Sequence, residues 1–562
     1  MEDRLGFYVN SVKINDGTEI SLTENDIVIF VGNNNVGKSA AIKNIYTLCG
    51  TSGFGNIHDV VTAIKTSTIG SFKKFEEHLF ELSEYDDKTY PILLGSIKHE
   101  KQQLKNWWES ASRNHNTFFR SYLSTANRIA GSDPVKSVDF SQTKATHPIL
   151  KMFVDDSLEE HINSYFRLAF NEELLINRYS GQQIYLHVGA RPIIETSDKL
   201  LTKYYAEVKS LPQLNEQGDG MRSFATILLE LSLESSTVLL IDEPEAFLHP
   251  PQIRLLGKFI SKNYLKKQIF ISTHSPDFIR GLLQIKNERV KIVRLKRNGT
   301  LNYSSLLDNS DIAELTKDPV LRHSQIVDGL FHEKVIICES DGDCKFYSSI
   351  LDVLNDKNAE YYKVPDSLFI PAHGKSKMPE IARALSKLSV SVISICDFDI
   401  FNNISPLKDL VEAHGGNWKN IEGEWKKFKN AIDSIKSQLD KEEVKMRINE
   451  ILDKVNVMTL GLKDLEKIKE VLKMSTAWSF AKKQGISFIP SGENYNSCAN
   501  VTNYLNTIGI FPLMVGELES FDKTISNSNK ALWLEEVFKK DLTNSEVLKE
   551  AKEFVSSIMN FV

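Results

Sequence analysis

Cysteine is scarce in this chain. Five occur in 562 residues (Cys49, Cys338, Cys344, Cys396 and Cys498), odd in number, scattered and without a CxxC pair. Such usage argues against a disulfide framework and a structural zinc site, and it predicts reduced thiols. No apolar run approaches the length that a membrane span requires, and Met1-Glu2-Asp3-Arg4-Leu5 lacks the basic-then-apolar layout of a signal peptide. A cytoplasmic protein with no membrane partner is therefore expected. Internal repeats and low-complexity tracts are missing too, which argues against solenoids and long disordered tails. Positive charge is not in excess, the formal net charge being −6. An acidic total still allows nucleic-acid binding, because a local basic groove or bound divalent metals can face a phosphate backbone.

What is present is an ordinary globular composition, 41% hydrophobic and 25% charged, in a chain long enough for two to four domains. The organising stretch is Ile27-Val28-Ile29-Phe30-Val31, an apolar run of strand character, followed by Gly32-Asn33-Asn34-Asn35-Val36-Gly37-Lys38-Ser39 and then a helical pattern. This GxxxxGKS loop between strand and helix suits a nucleotide phosphate. Backbone N–H groups and the helix N-terminus cradle the phosphates, Lys38 reaches the β/γ-phosphates, and Ser39 ligates Mg²⁺. Gly32 and Gly37 let the backbone approach where a Cβ would collide.

A second apolar strand, Thr237-Val238-Leu239-Leu240-Ile241, ends in Asp242-Glu243. This is the Walker B pattern, with Asp242 holding Mg²⁺ and Glu243 polarising the attacking water. The material between the two motifs is too short for a long coiled-coil arm, so a compact head is expected. Residues 1–31 read as a small β-meander, 56–115 as polar helix, 118–124 as strand, and 131–147 as loop. Residues 148–178 and 196–208 read as helix around a strand at 183–188, forming an insertion at about 148–210.

The set GNNNVGKS, QGDGMRS (217–223), VLLIDEPEAFLHPP (238–251) and FISTHSP (270–276), in this order, resembles the ATPase head of the ABC and structural-maintenance class. That resemblance implies that His274 contacts the γ-phosphate. It also implies that the loop carrying Gly218, Gly220 and Ser223 closes on ATP held by a second head, although it departs from the usual Leu-Ser-Gly-Gly. Arg120 and Arg128 are further candidates near the phosphates. Val290–Leu295 reads as the final strand of a head spanning 1–300, with a helical linker over 301–332.

Beyond the linker, apolar strands alternate with helices, which implies a small parallel sheet with ligands at the carboxyl ends of its strands. Acids sit at those ends: Glu339 after 334–338, with Asp343 close by, and Asp397 and Asp399 after 390–396. Asp397 and Asp399, two apart in an extended chain, point to one side and can share a metal cluster with Glu339. Hard oxygen ligands of this kind suit Mg²⁺ or Mn²⁺. The block resembles the TOPRIM fold of topoisomerases, bacterial primases and OLD-family nucleases, although Ser340 stands where that pattern has glycine. By the same likeness Glu517 or Glu519, with Glu519 favoured, completes a second metal site. A transition-state lysine is then sought among Lys375, Lys523, Lys539, Lys540 and Lys549. The TOPRIM core is expected at 333–404 and 485–525, resuming with strands at 486–490 and 509–519. A charged helical insertion is expected at 405–484, and C-terminal helices at 526–562.

An ABC-class ATPase head joined to a TOPRIM block, α/β throughout, resembles the OLD family over nearly the whole chain. The likeness implies an ATP-binding, metal-dependent DNA endonuclease acting as a homodimer or higher oligomer. It further implies an effector of bacterial anti-phage defence, alone or beside a helicase-like subunit or a reverse transcriptase with its small DNA. The alternative is a DNA-repair or clamp-type ATPase whose TOPRIM block is a docking module, a reading favoured by Ser340. A strand-synthesising or rejoining enzyme ranks last, since neither a zinc module nor a nucleophilic-tyrosine domain can be assigned.

Overall fold

The computed structural model describes residues 4–561 apart from 51–58, 83–89, 95–96, 110–113, 139–144, 180, 195–200, 234, 264–265, 308–324, 358–365, 388, 436–440, 454, 456–458, 474–476 and 526–528. The chain divides into two compact units, Met1–Phe331 and His332–Val562. Among the described residues no helix is long and apolar enough to cross a membrane.

In the first unit a six-stranded sheet runs in the order Leu301–Leu307, Val290–Asn298, Ile27–Val31, Gln268–Ser272, Val238–Asp242, Arg120–Leu123. All neighbours are parallel except the first pair. Ile27–Val31 and Gln268–Ser272 are buried at every position, as strands covered on both faces must be, and hence read as unbroken apolar runs. A three-stranded antiparallel sheet, Glu19–Ser21, Gly6–Ile14 and Val61–Ile69, lies beside it. Phe7, Val9, Val12 and Ile14 share one core with Val28, Phe30 and the helices Lys38–Leu48 and Phe72–Leu82. The first unit is thus a mixed α/β architecture.

Several expectations are corrected. Val61–Ile69 is a strand, not helix. Its β-branched Val61, Thr62, Ile64, Thr66, Thr68 and Ile69 favour extended backbone, and its partner, Gly6–Ile14, lies some fifty residues earlier, where local pattern cannot reveal it. Residues 301–307 are not linker but an edge strand, so Val290–Asn298 is not the last strand of the head. Residues 308–324 of the expected linker lie outside the described residues. Within 148–210 the helices Pro148–Val154, Asp156–Phe170 and Thr202–Ser210 are joined by the antiparallel pair Glu173–Ile176 and Leu186–Gly189. The helical reading therefore fails at 173–176.

The second unit holds a wholly parallel four-stranded sheet ordered Ser367–Pro371, Lys334–Cys338, Ser391–Cys396, Ile510–Pro512. Ile336, Phe346, Ile393, Ile395, Trp533 and Val555 form its core, so the C-terminal helices Lys530–Phe538 and Lys549–Met559 belong to this unit. The charged stretch after the third strand is helical, including Ile404–Ala413, Glu422–Asp433 and Ala477–Gln484. The strand expected at 486–490 is a 3-10 turn, Gly485–Phe488. Gly485 at φ +60° turns the chain there, and a Cβ on it would sit 1.9 Å from the Met514 carbonyl. Sheet pairing resumes only at Ile510–Pro512.

Candidate nucleotide and metal sites

Register sets the nucleotide site. Asp242 pairs with Ser272, and Ser272 pairs with Phe30, so the phosphate loop, the Walker B acids and His274 all leave one edge of the sheet at neighbouring strand ends. Gly32 and Gly37 hold φ +138° and +94°, and a Cβ on Gly32 would come within 2.4 Å of the Leu295 carbonyl. Glycine is therefore required there for backbone packing. Asn35, at φ 62°, supplies a further left-handed turn in the loop. Lys38 Nζ donates to the carbonyls of Gly32 and Asn33, both at 2.7 Å. Burial lowers its pKa, opposed by Glu245 and Glu243.

Ser272 Oγ donates to Asp242 Oδ1, fixing that carboxylate at the strand end. Glu243 adopts φ +50° and leaves its side chain half-exposed. Buried Glu245 accepts from the His274 backbone N–H at 2.8 Å, and His274 Nδ1 stands 3.4 Å from Glu245 and 3.7 Å from Glu243. Burial raises the Glu245 pKa.

The helix Asp219–Leu231 begins at Gly218, and a Cβ on Gly220 would come within 2.6 Å of the Phe247 carbonyl. The helix start thus packs on the turn that follows Walker B. Ser223 lies elsewhere: it is wholly buried one turn in, and its Oγ accepts from Arg128 Nε at 2.8 Å. The structure does not bring Ser223 to a surface that a second nucleotide can reach. Arg128, also fully buried, donates to the carbonyls of Leu123, Asp242 and Glu243. It is a strut under Walker B rather than a phosphate ligand. Arg120 lies over the Tyr46 ring at 4.1 Å and donates to the Tyr46 carbonyl. Replacing Arg128 with Met takes the guanidinium donors from the carbonyls of Leu123 and Asp242 and from Ser223 Oγ, while the Glu243 carbonyl keeps the Ala246 N–H, so a loss of about 3 kcal/mol is expected in denaturant unfolding of the first unit.

In the second unit Glu339 and Asp397 end adjacent parallel strands, and Asp399 follows in the 3-10 turn Phe398–Asn402. One ligand oxygen from each lies within 4.8 Å of the others. Glu339 Oε1 accepts from the Asp397 backbone N–H at 3.1 Å. Asp399 Oδ1 is buried and has no hydrogen-bond partner among the described residues. Three clustered carboxylates with an unanswered buried oxygen fit a hard divalent cation such as Mg²⁺ or Mn²⁺. Burial, with Asp397 and Asp399 close by, pushes Glu339 up to about 7, and burial also raises Asp397.

Asp343 is placed differently. Its Oδ2 accepts from the N–H and Oγ of Ser340 at 2.9 and 2.8 Å, and its Oδ1 meets Lys530 Nζ at 2.5 Å. Ser340 thus ties this acid to the helix start. Glu517 and Glu519 are outside the three-carboxylate cluster. Glu517 precedes a 3-10 turn, Leu518–Phe521, and Glu519 lies within it. Burial, then Glu519, pushes Glu517 up to about 7, and burial raises Glu519. Of the expected lysines, Lys375 reaches Asp399 Oδ2 at 2.8 Å, Lys540 pairs with Asp522, Lys539 pairs with Glu535 and Glu536, and Lys523 and Lys549 are exposed. Sequence reasoning missed Lys482, 2.9 Å from Asp397 Oδ2, and Lys530. Neither carries a local signal that separates it from surface lysines.

A carboxyl whose folded pKa is raised binds protons more tightly folded than unfolded. Its stabilising contribution is present below the unfolded value, about 4.5, and is lost as pH rises through about 7. In metal-free buffer the wild type should therefore lose more melting temperature between pH 5 and 8 than Glu339→Gln does, measured by calorimetry.

Residues 27–280 match the family model described as "AAA domain, putative AbiEii toxin, Type IV TA system". The chain is similar to the Old nuclease of Escherichia phage P2, with 23% identity over 194 residues, 33% of this chain and 32% of that protein. It is also similar to an ATP/GTP phosphatase of Helicobacter pylori, with 26% identity over 157 residues, 27% of this chain and 38% of that protein. The chain thus spans only about a third of the length of these curated relatives. Among solved structures, the head of an Smc protein bound to the C-terminal winged-helix domain of ScpA matches with 12% identity and a TM-score of 0.33, over 54% of this chain and 98% of that one. The SMC head domain from Thermotoga maritima matches with 11% identity and a TM-score of 0.27, over 54% and 99%. Residues 27–280 thus match an AAA-type ATPase domain, and part of the chain carries a weak sequence likeness to the Old nuclease.

Proposed function

We propose that this chain is an ATP-binding and ATP-hydrolysing, divalent-metal-dependent DNA endonuclease of OLD type, with a TOPRIM nuclease unit. The observation that carries the reading is the convergence of Glu339, Asp397 and Asp399 at the carboxyl ends of adjacent parallel strands, in a chain whose other unit is an ATPase domain.

In the ATPase, Lys38 and the loop N–H groups hold the phosphates, and Ser39 and Asp242 would hold Mg²⁺. Glu243 orients the attacking water, with His274 beside it. Arg128 keeps Asp242 and Glu243 in place through their carbonyls. The helix start at Gly218 and Gly220 is offered to ATP on a second copy, so the working unit is a dimer or larger.

In the nuclease unit, Glu339, Asp397 and Asp399 would hold the first Mg²⁺ or Mn²⁺, with Asp343, Glu517 and Glu519 available to a second. Bound there, such ions activate a water and stabilise the leaving oxygen of a phosphodiester. The carboxylates orient them, and Lys375 fixes Asp399. ATP occupancy biases the nuclease unit. A role as effector in anti-phage defence, with a helicase-like or reverse-transcriptase partner, rests on the OLD resemblance.

The test is plasmid cleavage by the purified protein with Mg²⁺ or Mn²⁺, with and without ATP, beside Asp397→Ala and Lys38→Ala. Cutting is expected from the wild type and not from Asp397→Ala, and the Lys38→Ala rate then tells whether ATP licenses or restrains it. One observation favours the second reading, a clamp-type ATPase with a docking module: lysines already sit on Asp343, Asp397 and Asp399. Asp397-dependent metal binding without any cleavage would support it.

A further inference from the structure

The strongest unexplained feature of the acidic site is a lysine that comes from outside the parallel sheet. Lys482 Nζ stands 2.9 Å from Asp397 Oδ2 and 4.0 Å from Asp399 Oδ2, within the cluster whose oxygens would ligate a metal. It lies near the end of Ala477–Gln484, the last helix of the charged insertion.

That helix is held at both ends. Trp478 Nε1 donates to Asp433 Oδ1 at 2.7 Å, and Ser520 Oγ donates to the Lys483 carbonyl at 2.9 Å. The Ile486 N–H donates to the Met514 carbonyl at 3.0 Å. A Cβ on Gly516 would come within 2.3 Å of the Lys482 carbonyl, so the two backbones are in contact. The Lys482 backbone is thus placed by packing, and its ammonium is aimed at the carboxylates rather than drifting there from solvent. Lys375 differs: its ion pair is with Asp399, from the loop after Gly374. Lys530 pairs directly with Asp343 and acts on Asp397 only through its longer-range charge. Glu517 and Glu519 add negative charge around Asp397.

An ammonium and a hard dication seek the same oxygens and repel one another at short range. Resting on the metal reading above, we propose that Lys482 is a resident counter-cation. It neutralises Asp397 and Asp399 in the metal-free protein and yields that position when a divalent ion binds, so that metal loading and the seating of the 477–484 helix end oppose each other. Linkage makes this reciprocal: whatever draws that helix end away raises metal affinity, and metal in turn loosens the lysine. Lys482 is a positioning residue in this scheme, acting on the ligands rather than on substrate.

The test is Mn²⁺ titration of the full chain, stripped of metal by chelator, followed by calorimetry and by electron paramagnetic resonance of free Mn²⁺. The variants are Lys482→Met, which keeps the apolar stem, Lys482→Gln, and Lys482→Met combined with Asp397→Asn. Lys427→Gln serves as control, since Lys427 pairs with Glu424 and Glu493 at the surface. Circular dichroism establishes that each is folded. Both Lys482 variants should bind Mn²⁺ about tenfold more tightly than the wild type, and Mn²⁺ should raise their melting temperatures further. Asp397→Asn should abolish the gain, and the control should match the wild type. Unchanged or weaker binding in both Lys482 variants, with Asp397 still required, overturns the counter-cation role and leaves the metal reading standing. Absence of Asp397-dependent binding in every form overturns both.

Discussion

Glu243→Gln should lower ATP turnover by about two to three orders of magnitude while leaving ATP affinity within a few-fold of wild type. The amide keeps the shape of the side chain and disturbs none of the backbone bonds that hold residue 243, namely its N–H to the Ser272 carbonyl and its carbonyl to Arg128. In the proposed mechanism it removes only the charge that would polarise water. Lys38→Ala, by contrast, removes the group that reaches the phosphates and should raise the dissociation constant itself. Steady-state phosphate release beside equilibrium binding of a fluorescent ATP analogue separates the two. A Glu243→Gln protein that turns over ATP at the wild-type rate would remove Glu243 from the mechanism and leave Glu245 or His274 to be tested.

Asp397→Asn should cut metal-dependent DNA cleavage on the order of a thousandfold. Several kcal/mol of charge stabilisation rest on the metal, and each 1.36 kcal/mol is a factor of ten. Asp397 is the member of the cluster with most at stake. It is buried, ends a central strand, donates its backbone N–H to Glu339 and accepts from Lys482. The amide is nearly isosteric, so melting temperature in metal-free buffer should move little compared with activity. A parallel substitution at Asp409, an acid on the Ile404–Ala413 helix outside the three-carboxylate cluster, should leave cleavage unchanged. Residual cutting by Asp397→Asn near the wild-type rate would indicate a contaminating nuclease or a different active site.

The motifs that carry chemistry were legible because each is contiguous: an apolar strand that must be buried, followed at once by the residues its carboxyl end presents. Ile27–Val31 leads into the phosphate loop, Val238–Asp242 delivers the Walker B acids, and Lys334–Cys338 and Ser391–Cys396 deliver Glu339 and Asp397. Burial on both faces makes such strands visible, and parallel topology says which end faces the ligand. Local sequence therefore determined where these acids and the loop lie along the chain. It also determined the α/β class.

Partners distant in sequence were decided by tertiary structure alone. Val61–Ile69 is a strand because Gly6–Ile14 is there to pair with it, and 485–488 is a turn because Met514 crowds Gly485. Ser223 has the residue type expected of a nucleotide loop, yet packing turned it inward onto Arg128. Lys482 reads as one more surface lysine in a charged helix until the fold closes that helix over Asp397. A strand's pattern reports the burial of its own faces; an ion pair between residues 85 positions apart leaves no trace in either neighbourhood, because charge is selected there by a contact that only the folded chain makes.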